Sequence, residues 1–167
     1  MAEAAVYGRG QIILHWLTVA LVVPQIAVSG GISARFAANQ GAGAVAFDMP
    51  AVLHMGFGGL ILFLVMLRLM LRQEAGVAAP VAGAPAWRGL FALWVHRALY
   101  GVLLLLPLTG ALAWGLGSVP LGRVHDALHM VLIGGVLLHV AGALFGQFAR
   151  RDGTLARMLP VLRGRAG

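Results

Sequence analysis

Cysteine is absent from this chain of 167 residues. That excludes disulfides, thiolate zinc sites, iron–sulfur clusters and covalent c-type haem attachment. Lysine is absent as well, and charge of either sign is scarce: 10% of residues are charged, against roughly 25% in a soluble domain. Five residues are acidic, and none lies deep in a long apolar run. A proton pump is therefore poorly supported, because such relays place Asp or Glu within the membrane. No Gly-rich phosphate loop and no aromatic-basic RNA motif occurs. Disorder and coiled coil are excluded by an apolar share of 60%.

That apolar excess is spread over the chain, with a mean hydropathy of +0.92. A soluble fold of this size cannot hide so much apolar surface, so the surrounding solvent is a bilayer. Four runs reach the length of about 20 residues that a spanning helix needs: 11–34, 49–71, 90–116 and 124–148. Between them, 35–48 is polar with Gly and Asn, and 72–88 holds Pro80 and Pro85. The connector 117–123 reads as a short turn around Pro120. The expected fold is an all-α membrane protein, a four-transmembrane-helix bundle forming one domain over residues 1–160, followed by a basic tail at 161–167. The first ten residues carry no small-residue cleavage site and read as a cytoplasmic tail rather than a signal peptide.

All twelve basic residues are Arg. With the N-terminus inside, Arg9, Arg68, Arg72, Arg88, Arg97, Arg150, Arg151, Arg157, Arg163 and Arg165 fall on the cytoplasmic side, and only Arg35 and Arg123 outside. Ten against two is a positive-inside pattern that places both termini in the cytoplasm. The sequence pI near 11.7 then reflects topology and anionic lipid contact, not nucleic acid. Arg68, in the last turn of the second run, is expected to snorkel or to pair with an anion.

Six histidines, His15, His54, His96, His125, His129 and His139, lie in or at the edges of the runs. Neutral imidazoles facing into a bundle suit haem iron. Depth sorts them. His15 is early in the first helix and His54 early in the second, which runs the other way, so the two lie near opposite faces. His125 and His139 are 14 residues apart. That is about 21 Å along a helix and about 40° short of four full turns, so both share one face. His54 then matches the depth of His125, and His15 that of His139, giving two stacked bis-histidine sites. His129 is the competing outer ligand, but its 10-residue interval to His139 leaves a mismatch of about 80°. His96, beside Arg97, has no depth-matched partner and reads as a residue contacting a haem propionate or a substrate. Each histidine taken singly also has a plain structural reading, as an interhelical hydrogen-bond donor. Gly56, Gly58, Gly59, Gly134 and Gly135 either admit a flat macrocycle or permit close helix packing. Trp16, Trp87, Trp94 and Trp114 read as an interfacial belt, and Met55, Met66, Met70 and Met130 as packing.

The stretches LHW at 14–16, LHMGFGGLILFLVMLRLMLR at 53–72, HRALYGVLLLLPLTG at 96–110, HDALHMVLIGGVLLHVAGAL at 125–144 and RDGTLARMLP at 151–160 resemble the bacterial cytochrome b561 family. This family is related to the di-haem b subunits that anchor membrane dehydrogenases and hydrogenases. The resemblance implies two b-type haems per chain in a multi-pass protein of the bacterial cytoplasmic membrane. Carried over by position, His15 and His139 ligate iron at the cytoplasmic haem and His54 and His125 at the outer one. His96 and Arg97, from their place at the cytoplasmic end of the third helix, are expected to contact cofactor or quinone. Members similar to superoxide oxidase carry a histidine pair seven and eight positions past the last ligand. Gly146 and Gln147 stand there in this chain.

The expected function is transmembrane electron transfer between ubiquinone or another quinone and an outer-face donor such as superoxide, with an electron carrier and a superoxide:quinone oxidoreductase both open. The alternative is a non-catalytic di-haem anchor subunit docked to a soluble redox enzyme; a homodimer is also compatible.

Overall fold

The computed structural model describes residues 7–39, 48–78, 83–159 and 161. The first residues of the N-terminal tail, Pro80 and, apart from Val161, the basic tail at 161–167 lie outside the described residues. Four helices carry the fold: α1, Arg9–Asn39; α2, Met49–Ala75; α3, Ala86–Leu116; and α4, Val119–Leu144. α4 runs on into a π-helical turn, Phe145–Ala149, and a 3-10 turn follows at Leu155–Arg157. All four are long and apolar enough to cross a membrane.

The helices outrun the apolar windows because polar residues also cap and extend them. At the start of α2 the Asp48 carboxylate accepts a hydrogen bond from the Ala51 amide at 3.1 Å. Pro50 sits in that first turn, where a missing N–H costs nothing. The seven-residue turn expected at 117–123 is a two-residue one. Gly117, at φ +59°, takes the left-handed conformation and closes α3 by donating to the Trp114 carbonyl at 3.2 Å. Ser118 then caps α4, its hydroxyl accepting from the Leu121 amide at 3.4 Å. Pro120, which suggested a loop, occupies the first turn of α4 instead. Pro24 and Pro107 lie inside α1 and α3, and both helices continue through them.

Short connections make sequential helices antiparallel neighbours: α1 packs on α2, α2 on α3, α3 on α4, and α4 closes back on α1. Both ends of the described chain and the α2–α3 connection thus lie at one end of the bundle, called here the termini end. The α1–α2 and α3–α4 connections lie at the far end. Midway, Val22, Ile61, Val65, Val102, Leu106 and Leu132 form the buried core, one or two from each helix. Large apolar residues such as Phe63, Leu108 and Leu137 are exposed on the outer faces, as a lipid-facing surface requires.

The chain after α4 folds back across the termini end. Asp152 pairs with Arg88 at the start of α3 at 2.9 Å, and its amide donates to the Gly146 carbonyl at 3.1 Å. Trp16 of α1 donates its indole N–H to the Met158 carbonyl at 2.8 Å. Burial alone would raise the Asp152 pKa, but hydrogen bonds from Thr154 and Arg88 outweigh it and hold the carboxyl below its ordinary value. Residues 150–159 therefore form a strap tied to α1, α3 and α4.

Candidate functional site

The sequence spacing brings the histidines together in pairs. At the termini end, His15 of α1 faces His139 of α4, with ring centroids 6.2 Å apart. Toward the far end, His54 of α2 faces His125 of α4 at 6.5 Å. Their separation along α4 is about 21 Å, from 14 residues at the helical rise.

The far-end pair lines an open cavity of about 1110 Å³ of non-atom space, shared with Gln25, Gly110 and His129. The His125 Nδ1 lies 2.9 Å from the Leu106 carbonyl. A carbonyl can only accept, so Nδ1 carries the hydrogen and Nε2 keeps its lone pair. The ring fits because residue 110 on α3 is glycine: a Cβ there would stand 2.9 Å from the His125 Cε1. Gln25 donates to the His54 carbonyl at 2.7 Å, bracing that turn of α2. The His54 Nδ1 and the His129 Nε2 are buried with no hydrogen-bond partner among the described residues. A third imidazole thus borders the pair without forming part of it.

The termini-end pair has different neighbours. His96 sits with its ring edge-on to His139, 4.9 Å between centroids, and its Nδ1 donates to the Ala92 carbonyl at 2.6 Å. It contacts a member of the pair from the side. Arg97, expected to work beside it, does not reach the site: it is exposed and lies over the Trp94 ring at 5.3 Å. Neighbours in sequence point about 100° apart around a helix, so Arg97 cannot follow His96 inward. The guanidinium at the site is Arg68 of α2, whose Nη2 donates to the His15 Nδ1 at 3.0 Å.

Of the glycines singled out by position, Gly56, Gly59 and Gly134 have open space where a Cβ would stand, and Gly58 makes ordinary contacts. Gly135 is needed for helix packing, since a Cβ would lie 2.9 Å from Leu99. The glycine that admits a histidine ring is Gly110, whose partner lies on another helix and leaves no signal in α3 itself.

Gly146 is explained by the strap: a Cβ there would meet the Thr154 hydroxyl at 2.7 Å and the Asp152 carboxylate at 2.9 Å. No histidine fits at 146 while the strap is in place. Gln147, in the π-helical turn, has a buried amide oxygen with no hydrogen-bond partner among the described residues.

Among the described residues no group of three or more His, Asp or Glu converges as a protein-only metal site would require. Two imidazoles per site suit an iron whose remaining positions come from a tetrapyrrole. Metal–imidazole bonds of roughly 2 Å, laid end to end with about 1 Å from nitrogen to ring centre at each side, put the two centroids roughly 6 Å apart. Both pairs meet that spacing. The residues present therefore fit b-type haem. No curated protein and no solved structure matches the chain significantly. The family model for prokaryotic cytochrome b561 matches residues 6–161. The chain belongs to the prokaryotic cytochrome b561 family, multi-pass membrane proteins that bind b-type haem and transfer electrons across the membrane.

Proposed function

We propose that the chain holds two b-type haems, one at His15–His139 and one at His54–His125, and carries electrons between an outer-face donor and the quinone pool. The observation that carries this reading is the pairing itself: four imidazoles on α1, α2 and α4 stand in two couples at iron-ligand spacing. Haem b supplies reversible one-electron chemistry when bound.

The chain's own residues do the rest. The four histidines would hold the two irons, and the Leu106 carbonyl fixes His125 in the tautomer that leaves Nε2 free for iron. Gly110 lets that ring approach α3. The apolar core between the two levels excludes water from the path. His96, held by Ala92, buttresses His139 and offers the lone pair of its other nitrogen to a quinol hydroxyl, with Gln147 a second polar group at that end. The positive-inside pattern supports the termini end as the cytoplasmic one and a bacterial cytoplasmic membrane as the location. Superoxide is the donor proposed at the outer face, which would make the protein a superoxide:quinone oxidoreductase.

The anchor-subunit reading shares the same haems and differs in needing a soluble redox enzyme as partner. Purification in mild detergent, with oxidised and reduced spectra and haem counted per chain, tests the proposal. Two haems per chain and quinone reduction by the isolated protein are expected. One haem or none overturns the two-site reading, and redox activity found only in a stoichiometric complex favours the anchor.

A further inference from the structure

Arg68 and Arg72 stand four residues apart on α2, on one face of the helix. Both guanidiniums lie over the same ring, that of Tyr100 on α3, at 5.4 and 5.9 Å from its centre. Both arginines are half-buried. Two like charges so close repel each other, and burial raises the cost of each unless an anion is supplied. The ion pairs among the described residues are Arg35–Asp48 and Arg88–Asp152, and neither reaches this cluster. The chain thus concentrates two cations beside the His15–His139 pair without a described carboxylate to balance them.

The bond from Arg68 to His15 sharpens the point. A guanidinium only donates, so the His15 Nδ1 must accept. A neutral imidazole has one nitrogen lone pair to offer. If iron takes it at Nε2, Nδ1 carries the hydrogen; if iron takes it at Nδ1, the lone pair is already used. In both cases Arg68 cannot keep this bond once His15 is a neutral axial ligand. Ligation therefore frees the Nη2 donor of a half-buried guanidinium that otherwise keeps its Tyr100 contacts, a site suited to an oxyanion.

We propose that Arg68 and Arg72, backed by the Tyr100 ring, form a carboxylate cradle that holds the propionates of the haem at His15–His139. Arg68 exchanges the His15 nitrogen for a propionate oxygen as that haem binds. This rests on the haem assignment proposed above. Arg68 lies level with His15, and Arg72 lies one turn nearer the termini end, the direction in which a carboxylate would meet water. The two guanidiniums there offset the negative charge of the propionates beside one haem, which favours its reduced form and raises its potential. A phospholipid headgroup offers the same oxyanion chemistry, so the test separates the two sources.

The experiment uses the full chain carrying its haems, in nanodiscs of zwitterionic lipid alone and of zwitterionic plus anionic lipid. Arg68→Gln, Arg68→Lys and Arg72→Gln are compared for redox potential by spectroelectrochemistry and for haem loss to apomyoglobin. With Gln at 68, the potential of one haem is expected to fall, and that haem to leave roughly ten- to a hundredfold faster. The same haem must be the one removed by His15→Ala, and the second haem must be unmoved. Lys at 68 should give an intermediate effect, since it keeps the charge but loses the fork. Arg72→Gln makes the same test without touching the His15 contact, should Gln at 68 prevent folding. The proposal is overturned by potentials and haem retention that match the parent protein in both lipids. It is also overturned by a defect seen only with anionic lipid, which would assign the cluster to a headgroup. A parent chain that binds no haem would instead refute the assignment on which the proposal rests.

Discussion

The two ends of this bundle hold the same kind of histidine pair in different surroundings. At the far end, His54 and His125 open onto a mostly neutral cavity. Arg35 pairs there with Asp48, and Asp126 accepts a hydrogen bond from the Ser33 hydroxyl at 2.9 Å. At the termini end, His15 and His139 sit among Arg68, Arg72 and His96, roofed by the strap. One site is shaped by space, the other by charge and closure. If each pair holds a haem iron, the residues around the pairs become the means of setting two different potentials.

The largest effect expected comes from removing ligands. His15→Ala and His139→Ala should abolish the same haem, and His54→Ala and His125→Ala the other, each leaving about one haem per chain by pyridine haemochrome assay. His129→Ala should leave both haems in place. Loss of the far haem from the His129 variant but not from His125→Ala would redraw the far pair. The next concerns space: Gly110→Val should expel His125 from its position and empty the far site, leaving the other spectrum intact. Equal damage to both sites would mean the two ends are not independent. Third, redox titration should resolve two steps, with the His15–His139 haem at the higher potential because of its arginines. The reverse order would break the comparison at its base.

The smallest effect belongs to the strap. The folded-state pKa of Asp152 lies below that of the unfolded chain, near 3.9. Its contribution is therefore fully present above that pH and is lost as the pH falls through the lower folded value. Asp152→Asn should loosen the strap at neutral pH, read as faster tryptic cleavage at Arg150 and Arg151. The parent protein should become equally sensitive only in acid, followed with an acid-stable protease.

The existence of the four helices and the pairing of four histidines were legible in the sequence for one reason: both depend on counting along a rod of fixed rise. Apolar runs of about 20 residues give the rods, and position along them gives depth. What depends on rotation or on another helix was not legible. Each helix is apolar on nearly every side, so nothing in the pattern marks its inward face. Arg97 was therefore assigned by adjacency to His96, whereas the guanidinium that arrives is Arg68, from a different helix. Gly110 matters only through a ring on α4. The α3–α4 connector was overdrawn because Pro120 signals a turn and a helix start equally well. The strap escaped notice as a structure because its ties are single hydrogen bonds and an ion pair between distant residues.

Those ties carry a consequence for how the protein is made. The indole of Trp16, next to the ligand His15, is held by the carbonyl of Met158. A residue of the first helix therefore waits for one synthesised 142 residues later. The far-end pair is complete once His125 has been added, but the termini end is sealed only once Met158 has followed. A message cut short after α4 encodes every histidine of both pairs and still yields a chain with one end unroofed. The indole–carbonyl bond thus makes the entry turn of α1 depend on chain that lies beyond α4.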